Sequence, residues 1–222
     1  MKTNLTTILG GMACVLGLGL GAASASIVTV GSGAVNITVP DGNAAGITST
    51  IHVGSLGNVL NSVSLTLNIS GGNDGDLYAY LSYGGTSVVL LNRPGLAGDP
   101  AGVGYISSGY NSVILQNLGS GGSINDAGSY SSISQVTGTY YAAGGSLVFN
   151  SYNGVNPNGN WVLFISDLSG GDVSFSQLNS WSLTFNAVPE PVNVALGVFA
   201  AALLAGAGLR RARGYFKVSS NK

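Results

Sequence analysis

Apolar and polar residues alternate with a period of two through most of this chain, and glycine clusters interrupt the alternation at short intervals. Val35, Ile37 and Val39 alternate with polar neighbours up to a turn at Pro40-Asp41-Gly42. Ile47, Ile51 and Val53 share a face with Ser49, which weakens it. Val63, Leu65, Leu67 and Ile69 then interleave with Ser64, Thr66 and Asn68. After Gly71-Gly72-Asn73-Asp74-Gly75, the residues Leu77, Ala79 and Leu81 face one way and Tyr78 and Tyr80 the other. A solid run, Val88 to Leu91, predicts a strand buried on both sides. Further on, Trp161 to Ile165 and then Trp181, Leu183 and Phe185 repeat the pattern. Strict alternation places one face of each strand in a core, and no segment of this region shows a helical period. Many short strands with glycine-rich turns predict an all-β fold, a jelly roll or β-sandwich.

The stretch from Gly95 to Asn160 is less regular. Val113 to Leu115 and Leu147 to Phe149 are its short strand candidates, and long connections of this kind are functional or mobile. Charge is sparse throughout, at 7% of residues. Between Ser26 and Ala187 one base, Arg93, stands against seven acids: Asp41, Asp74, Asp76, Asp99, Asp126, Asp167 and Asp172. A domain with that balance cannot bind nucleic acid by neutralising phosphates, but it suits cations. A hydrophobic fraction of 45% argues against disorder.

Both ends of the chain carry address-like segments. Lys2 precedes an apolar run from Ile8 to Leu20, and Ala23-Ser24-Ala25 forms an A-x-A site before Ser26, so residues 1–25 are expected to be a signal peptide. Cys14 is the only cysteine and lies inside this leader. A lipoprotein reading fails because Gly11 and Met12 stand where a lipobox wants leucine. The mature chain would then hold no thiol, which excludes disulfides, thiolate metal sites and cysteine nucleophiles. At the other end, Pro189-Glu190-Pro191 is followed by an uncharged run from Val192 to Leu209 and by Arg210, Arg211 and Arg213. Proline blocks helix continuation, the run as a helix would reach roughly 27 Å, and arginines favour the cytoplasmic side. The expectation is an extended motif, a transmembrane helix and a basic stop over 188–222, with residues 26–187 outside the inner membrane.

That tail resembles the PEP-CTERM sorting signal of Gram-negative bacteria. The resemblance implies recognition by an exosortase-like membrane enzyme, cleavage near Pro189-Glu190-Pro191, and a cell-surface or matrix role beside exopolysaccharide. The other reading of the run is an ordinary C-terminal anchor that is never cut. A GPI signal lacks the basic stop. A second resemblance covers about Ile51 to Phe185. Gly75-Asp76-Leu77, Leu81-Ser82-Tyr83-Gly84-Gly85-Thr86, Arg93-Pro94-Gly95, Gly159-Asn160-Trp161-Val162-Leu163, Asp167 and Ser180-Trp181-Ser182-Leu183 are similar to the P domain (P/Homo B) of proprotein convertases. Tyr83 stands for the hairpin proline of that family and Ile165 for a valine. The resemblance implies a galactose-binding-like, eight-stranded jelly roll in which Trp161, Leu163, Trp181 and Leu183 are core.

The chemistry this region carries is thin. His52, the only histidine, lies on a polar strand face, and no Gly-x-Ser-x-Gly elbow exists. In convertases the P domain follows a catalytic domain for which no residues stand between the leader and Ile51. A serine-endopeptidase label would therefore be inherited from the family, and the expectation is a non-enzyme. A glycosidase carboxylate pair is disfavoured, since residues 26–187 hold no glutamate. Asp74 and Asp76 flank one turn and Asp167 and Asp172 another, which offers a calcium ion its oxygens; aspartate is equally the ordinary turn residue. Of ten tyrosines only Tyr215 lies in the tail. Tyr78, Tyr80, Tyr105, Tyr110, Tyr140, Tyr141 and Tyr152 on polar faces or loops suit sugar or protein contacts, and suit strands for their own sake. The expected role is structural or adhesive, with a carbohydrate- or protein-binding module as the alternative and a peptidase-associated accessory last.

Overall fold

A computed structural model describes residues 25–57, 59–171, 174–188 and 196–207. Among them are ten strands: β1 (Ser26–Gly31), β2 (Ile37–Thr38), β3 (Asn43–Val53), β4 (Val59–Ser70), β5 (Leu77–Tyr83), β6 (Thr86–Asn92), β7 (Gly109–Leu115), β8 (Thr139–Tyr140), β9 (Gly159–Asp167) and β10 (Gln177–Val188). They form two sheets. One has the order β1-β10-β4-β7-β8, with β2 also on β10; the other has the order β3-β9-β5-β6. All pairings are antiparallel except β7 with β8. This is an all-β sandwich, with Ser24–Glu190 as one compact unit.

The alternation in sequence becomes alternation in burial. On β4, Val63, Leu65, Leu67 and Ile69 are buried while Ser62, Ser64, Thr66, Asn68 and Ser70 stay half exposed. β10 repeats this with Leu178, Trp181, Leu183, Phe185 and Ala187. The one-residue slip between Leu178 and Trp181 is absorbed by a bulge against β4. Facing them, Ile51, Val53, Leu77, Ala79, Leu81, Leu163 and Ile165 close the core from the other sheet. Such burial is what stabilises a domain without disulfides.

The two tryptophans sit on opposite sheets, Trp161 on β9 and Trp181 on β10, and both are fully buried. Trp181 Nε1 donates to Ser49 Oγ at 2.9 Å across the interior. Ser49, the polar interruption of β3's apolar face, is thus the acceptor a buried indole requires. Trp161 donates to the Pro157 carbonyl at 2.9 Å and stands among Tyr83 (4.1 Å, stacked), Tyr152 (5.0 Å) and Phe185 (5.3 Å).

Two segments differ from the sequence expectation. β2 keeps only Ile37–Thr38 of the 35–39 alternation. Leu147 to Phe149 is no strand: Val148–Tyr152 forms a 3-10 turn, because Asn117 accepts from the Phe149 N–H (3.1 Å) and its amide donates to Asn150 (2.7 Å). In β6 the solid apolar run is buried as expected, with Val88, Leu90 and Leu91 all inside. The strand lies at a sheet edge, where Ala143 and Gly144 donate to the Leu90 and Val89 carbonyls and cover it. The remaining unit contributes a described helix, α1, over residues 196–207. Among the described residues no helix is long and apolar enough to cross a membrane. The rest of the 192–209 run, Pro189-Glu190-Pro191, the three arginines and Ala23 lie outside the described residues, whereas Ala25 and Ser26 are described and exposed.

Trp161→Ala should destabilise the sandwich by roughly 3–5 kcal/mol, since it empties the centre of the aromatic cluster. The urea midpoint reads this, and an unchanged midpoint would contradict the core role.

Candidate functional site

The polar residues that the sequence singled out collect at one end of the sandwich, where β5 begins and β9 ends. Leu77 pairs with Asp167, and the Leu168 N–H donates to the Asp76 carbonyl at 2.8 Å. Asp76 and Asp167 are therefore neighbours, both buried. Asp74 lies two residues upstream in a 3-10 turn, Asp74–Asp76, and accepts the Gly109 N–H at 2.9 Å through Oδ1. Asp172 lies outside the described residues.

Arg93 organises this end. Its Nη2 is 3.7 Å from Asp76 Oδ1 and its Nε donates to the Gly75 carbonyl at 3.2 Å. Its backbone is left-handed, with φ at 49°, and is held by the Arg93 N–H donating to the Leu77 carbonyl. Gly75 is needed because a side chain there would meet the backbone of Val103, Gly104 and Tyr105 within 2.7 Å. Asp99 holds that covering loop: its carboxylate accepts the N–H groups of Ala101, Val103 and Gly104, each at 2.9 Å. The Ala101 and Val103 bonds, led by the first, keep its pKa below the ordinary carboxylate range.

Asp74 is a different case. Burial pushes its pKa up to about 8, and the single Gly109 bond only partly opposes this. Its Oδ2 and the hydroxyl of the fully buried Tyr110 have no hydrogen-bond partner among the described residues. Burial, then the nearby Asp74 charge, raises Tyr110 well above its usual value. Asp76 faces Arg93, and Asp167 Oδ1 accepts the Ser169 N–H at 3.1 Å. No group of three or more His, Cys, Asp or Glu side chains placed to hold a metal ion occurs among the described residues. Among the described residues Asp74, Asp76 and Asp167 share this end of the sandwich without forming such a group, and Asp172, the fourth, lies outside them.

Beside the Arg93 turn lies a pocket of about 330 Å³. Asn92, Arg93, Tyr105, Asn125, Asp126 and Tyr130 contribute its polar and aromatic lining. Tyr105 and Tyr130 meet at 4.5 Å with their rings tilted by 52°. Tyr130 donates to the Gly95 carbonyl at 2.6 Å and Tyr105 to the Asp126 carbonyl at 3.3 Å. Gly95, at φ 79°, leaves the space that the Tyr105 ring fills: a Cβ would stand 2.6 Å from it. Of these residues, sequence reasoning had marked Tyr105 as a contact residue; Tyr130, Asn125 and Asp126 carried no pattern that would have singled them out. Elsewhere Tyr110 and Tyr152 are buried, the latter donating to the Leu81 carbonyl at 2.6 Å, so neither is a surface contact. His52 is exposed on β3, its Nδ1 2.8 Å from Asn160 Oδ1.

No protein-family model matches the chain, and no curated protein matches it. Among solved structures, it is similar to Aeromonas sobria serine protease in complex with the chaperone, at 14% identity and TM-score 0.46, over 74% of this chain and 27% of that one. The structure of the serine protease of Aeromonas sobria matches at 13% identity and TM-score 0.38, over 72% and 26%. The chain spans about a quarter of the length of these proteins.

An unfolded aspartate titrates near 3.8 and the folded Asp74 near 8, so its proton stabilises the fold at low pH. That contribution is complete below about 3.8 and is lost as pH rises through about 8, at up to about 1.4 kcal/mol per unit. Stability should therefore fall more between pH 5 and 8 in the wild type than in Asp74→Asn, by up to roughly 4 kcal/mol. Parallel pH profiles of the two midpoints would contradict the buried proton. Melting in EDTA against millimolar Ca²⁺ tests the calcium expectation: a higher melting temperature in Ca²⁺ that Asp76→Asn abolishes would support it, and identical melting would contradict it.

Proposed function

We propose that this chain is an exported, non-catalytic β-sandwich of the P-domain kind, carried to the cell surface or extracellular matrix by its C-terminal signal. Export begins with removal of residues 1–25, and an exosortase-like enzyme in the inner membrane acts near Pro189-Glu190-Pro191. The mature domain serves a structural or adhesive role beside exopolysaccharide.

The observation that carries this reading is the fit between the sandwich and the two sequence signals. Among the described residues the first paired one is Ser26, immediately after the A-x-A site and opposite Ala187. Among them β10 runs to Val188, the residue before Pro189 in sequence. Removal of either flanking segment would leave every paired strand of the sandwich intact. The order of Pro-Glu-Pro, uncharged run and arginines supports sorting by three separate mechanisms: φ restriction, apolar burial and retention of positive charge in the cytoplasm.

The non-catalytic part rests on the described residues. His52 has an asparagine amide beside it. The buried carboxyls are taken up by Arg93, backbone N–H groups and a proton. A nucleophile needs an adjacent base, and none of these groups presents that pair. A second reading, a binding module, is favoured by the pocket beside Arg93, whose volume lies within the roughly 300–1,000 Å³ of small-ligand sites.

Mass spectrometry of surface-extracted protein tests the sorting. The mature chain should start at Ser26 and end near Pro189-Glu190-Pro191. Replacing those three residues by alanines should leave full-length protein in the inner membrane. A mature wild-type chain that still ends at Lys222 would show a plain anchor instead.

A further inference from the structure

We infer that the pocket between the Arg93 turn and the 123–130 loop binds one uncharged pyranose unit of a glycan, with Tyr130 as its platform. This inference rests on the binding-module reading and names its site and ligand class. Four features of the pocket lead to it.

First, the pocket combines a ring surface with side chains that both donate and accept. Tyr130 is 46% exposed although its hydroxyl is bound to the Gly95 carbonyl, so the ring is fixed while much of its surface stays open. A pyranose has an apolar C–H face that packs on such a ring. Second, the surrounding groups match a circle of hydroxyls. Asp126 accepts, Arg93 donates, and the amides of Asn92 and Asn125 do both. Asn125 Oδ1 accepts the Asn92 N–H at 3.2 Å, which leaves its Nδ2 hydrogens for a ligand.

Third, the charges exclude other ligands. Arg93 is the only base of residues 26–187, and Asp76 already pairs with it. Asp126 adds a further negative charge to the lining. A uronate, a phosphate or a nucleic acid would meet that charge with no free cation to offset it. Fourth, the site is pre-formed. Tyr105 is held against Gly95 and Gly128, where a Cβ would stand 2.6 and 2.5 Å from its ring. Asp99 anchors the loop that leads to Tyr105 through three N–H bonds. Little ordering is then left for the ligand to impose.

The full-length chain, in a detergent without sugar head groups, is applied to an array of neutral and uronate-bearing glycans. Binding to neutral glycans is expected, and Tyr130→Ala should weaken it at least tenfold with an unchanged melting temperature. Tyr130→Phe keeps the ring and should bind like the wild type. If neutral glycans bind equally to wild type and Tyr130→Ala, the pocket assignment is overturned while the binding-module reading survives. Preference for uronate-bearing glycans overturns the ligand class. An array with no bound glycan overturns both the pocket and the glycan-binding form of the reading.

Discussion

The indole of Trp181 hangs from the six-stranded sheet and donates across the interior to Ser49 on the four-stranded one. Trp161 answers from the opposite sheet, with Phe185 against its edge and its own N–H on the Pro157 carbonyl. Two large rings whose donors are both satisfied hold the sheets at one spacing. A hydroxyl displaced from Ser49 would leave a buried N–H unpaired at a cost of about 1–3 kcal/mol. The Arg93 end depends on that spacing, because both of its crossing loops, β4 to β5 and β6 to β7, join strands of opposite sheets.

At the Arg93 end this rigidity is used for a polar construction. Arg93 reaches Asp76 and the Gly75 carbonyl, and Gly75 lets the Val103–Tyr105 backbone approach. That approach puts Tyr105 beside Tyr130 and opens a pocket next to it. A single cation among seven acids thus shapes the one end where side chains of both signs meet an aromatic pair. The same end holds a carboxyl oxygen of Asp74 with no hydrogen-bond partner among the described residues, and burial raises that carboxyl's pKa to about 8.

Much of the sandwich was legible in the sequence because one-sided burial writes itself as alternation. Val63 to Ile69 and Trp181 to Phe185 needed nothing more, and the burial of Trp161, Leu163, Trp181 and Leu183 follows the expectation from the P-domain resemblance. What alternation could not tell was which sheet each strand joins. The tryptophan strands, adjacent in sequence, lie on opposite sheets, and the solid apolar run of β6 is buried although the strand stands at a sheet edge. Ser49 looked like a defect until its partner, 132 residues away, was in place. Leu147 to Phe149 looked like a strand because composition does not record that Asn117 caps it. The pocket was hidden for the same reason: Asn92, Tyr105 and Asn125 come from three separate loops or strand ends. Apolar periodicity is local information, and these contacts are not.

The proposed role links the sandwich to its flanking segments through orientation: the domain outside the inner membrane, the arginines inside. On the proposed reading, Arg210, Arg211 and Arg213 set that orientation through the positive-inside rule, since the run before them carries no charge. Alkaline phosphatase, which matures only outside the cytoplasm, tests it directly when fused after Val188 or after Arg213 of the otherwise intact chain. The account predicts an active enzyme after Val188 and an inactive one after Arg213. Activity at the second position, or none at the first, would contradict it.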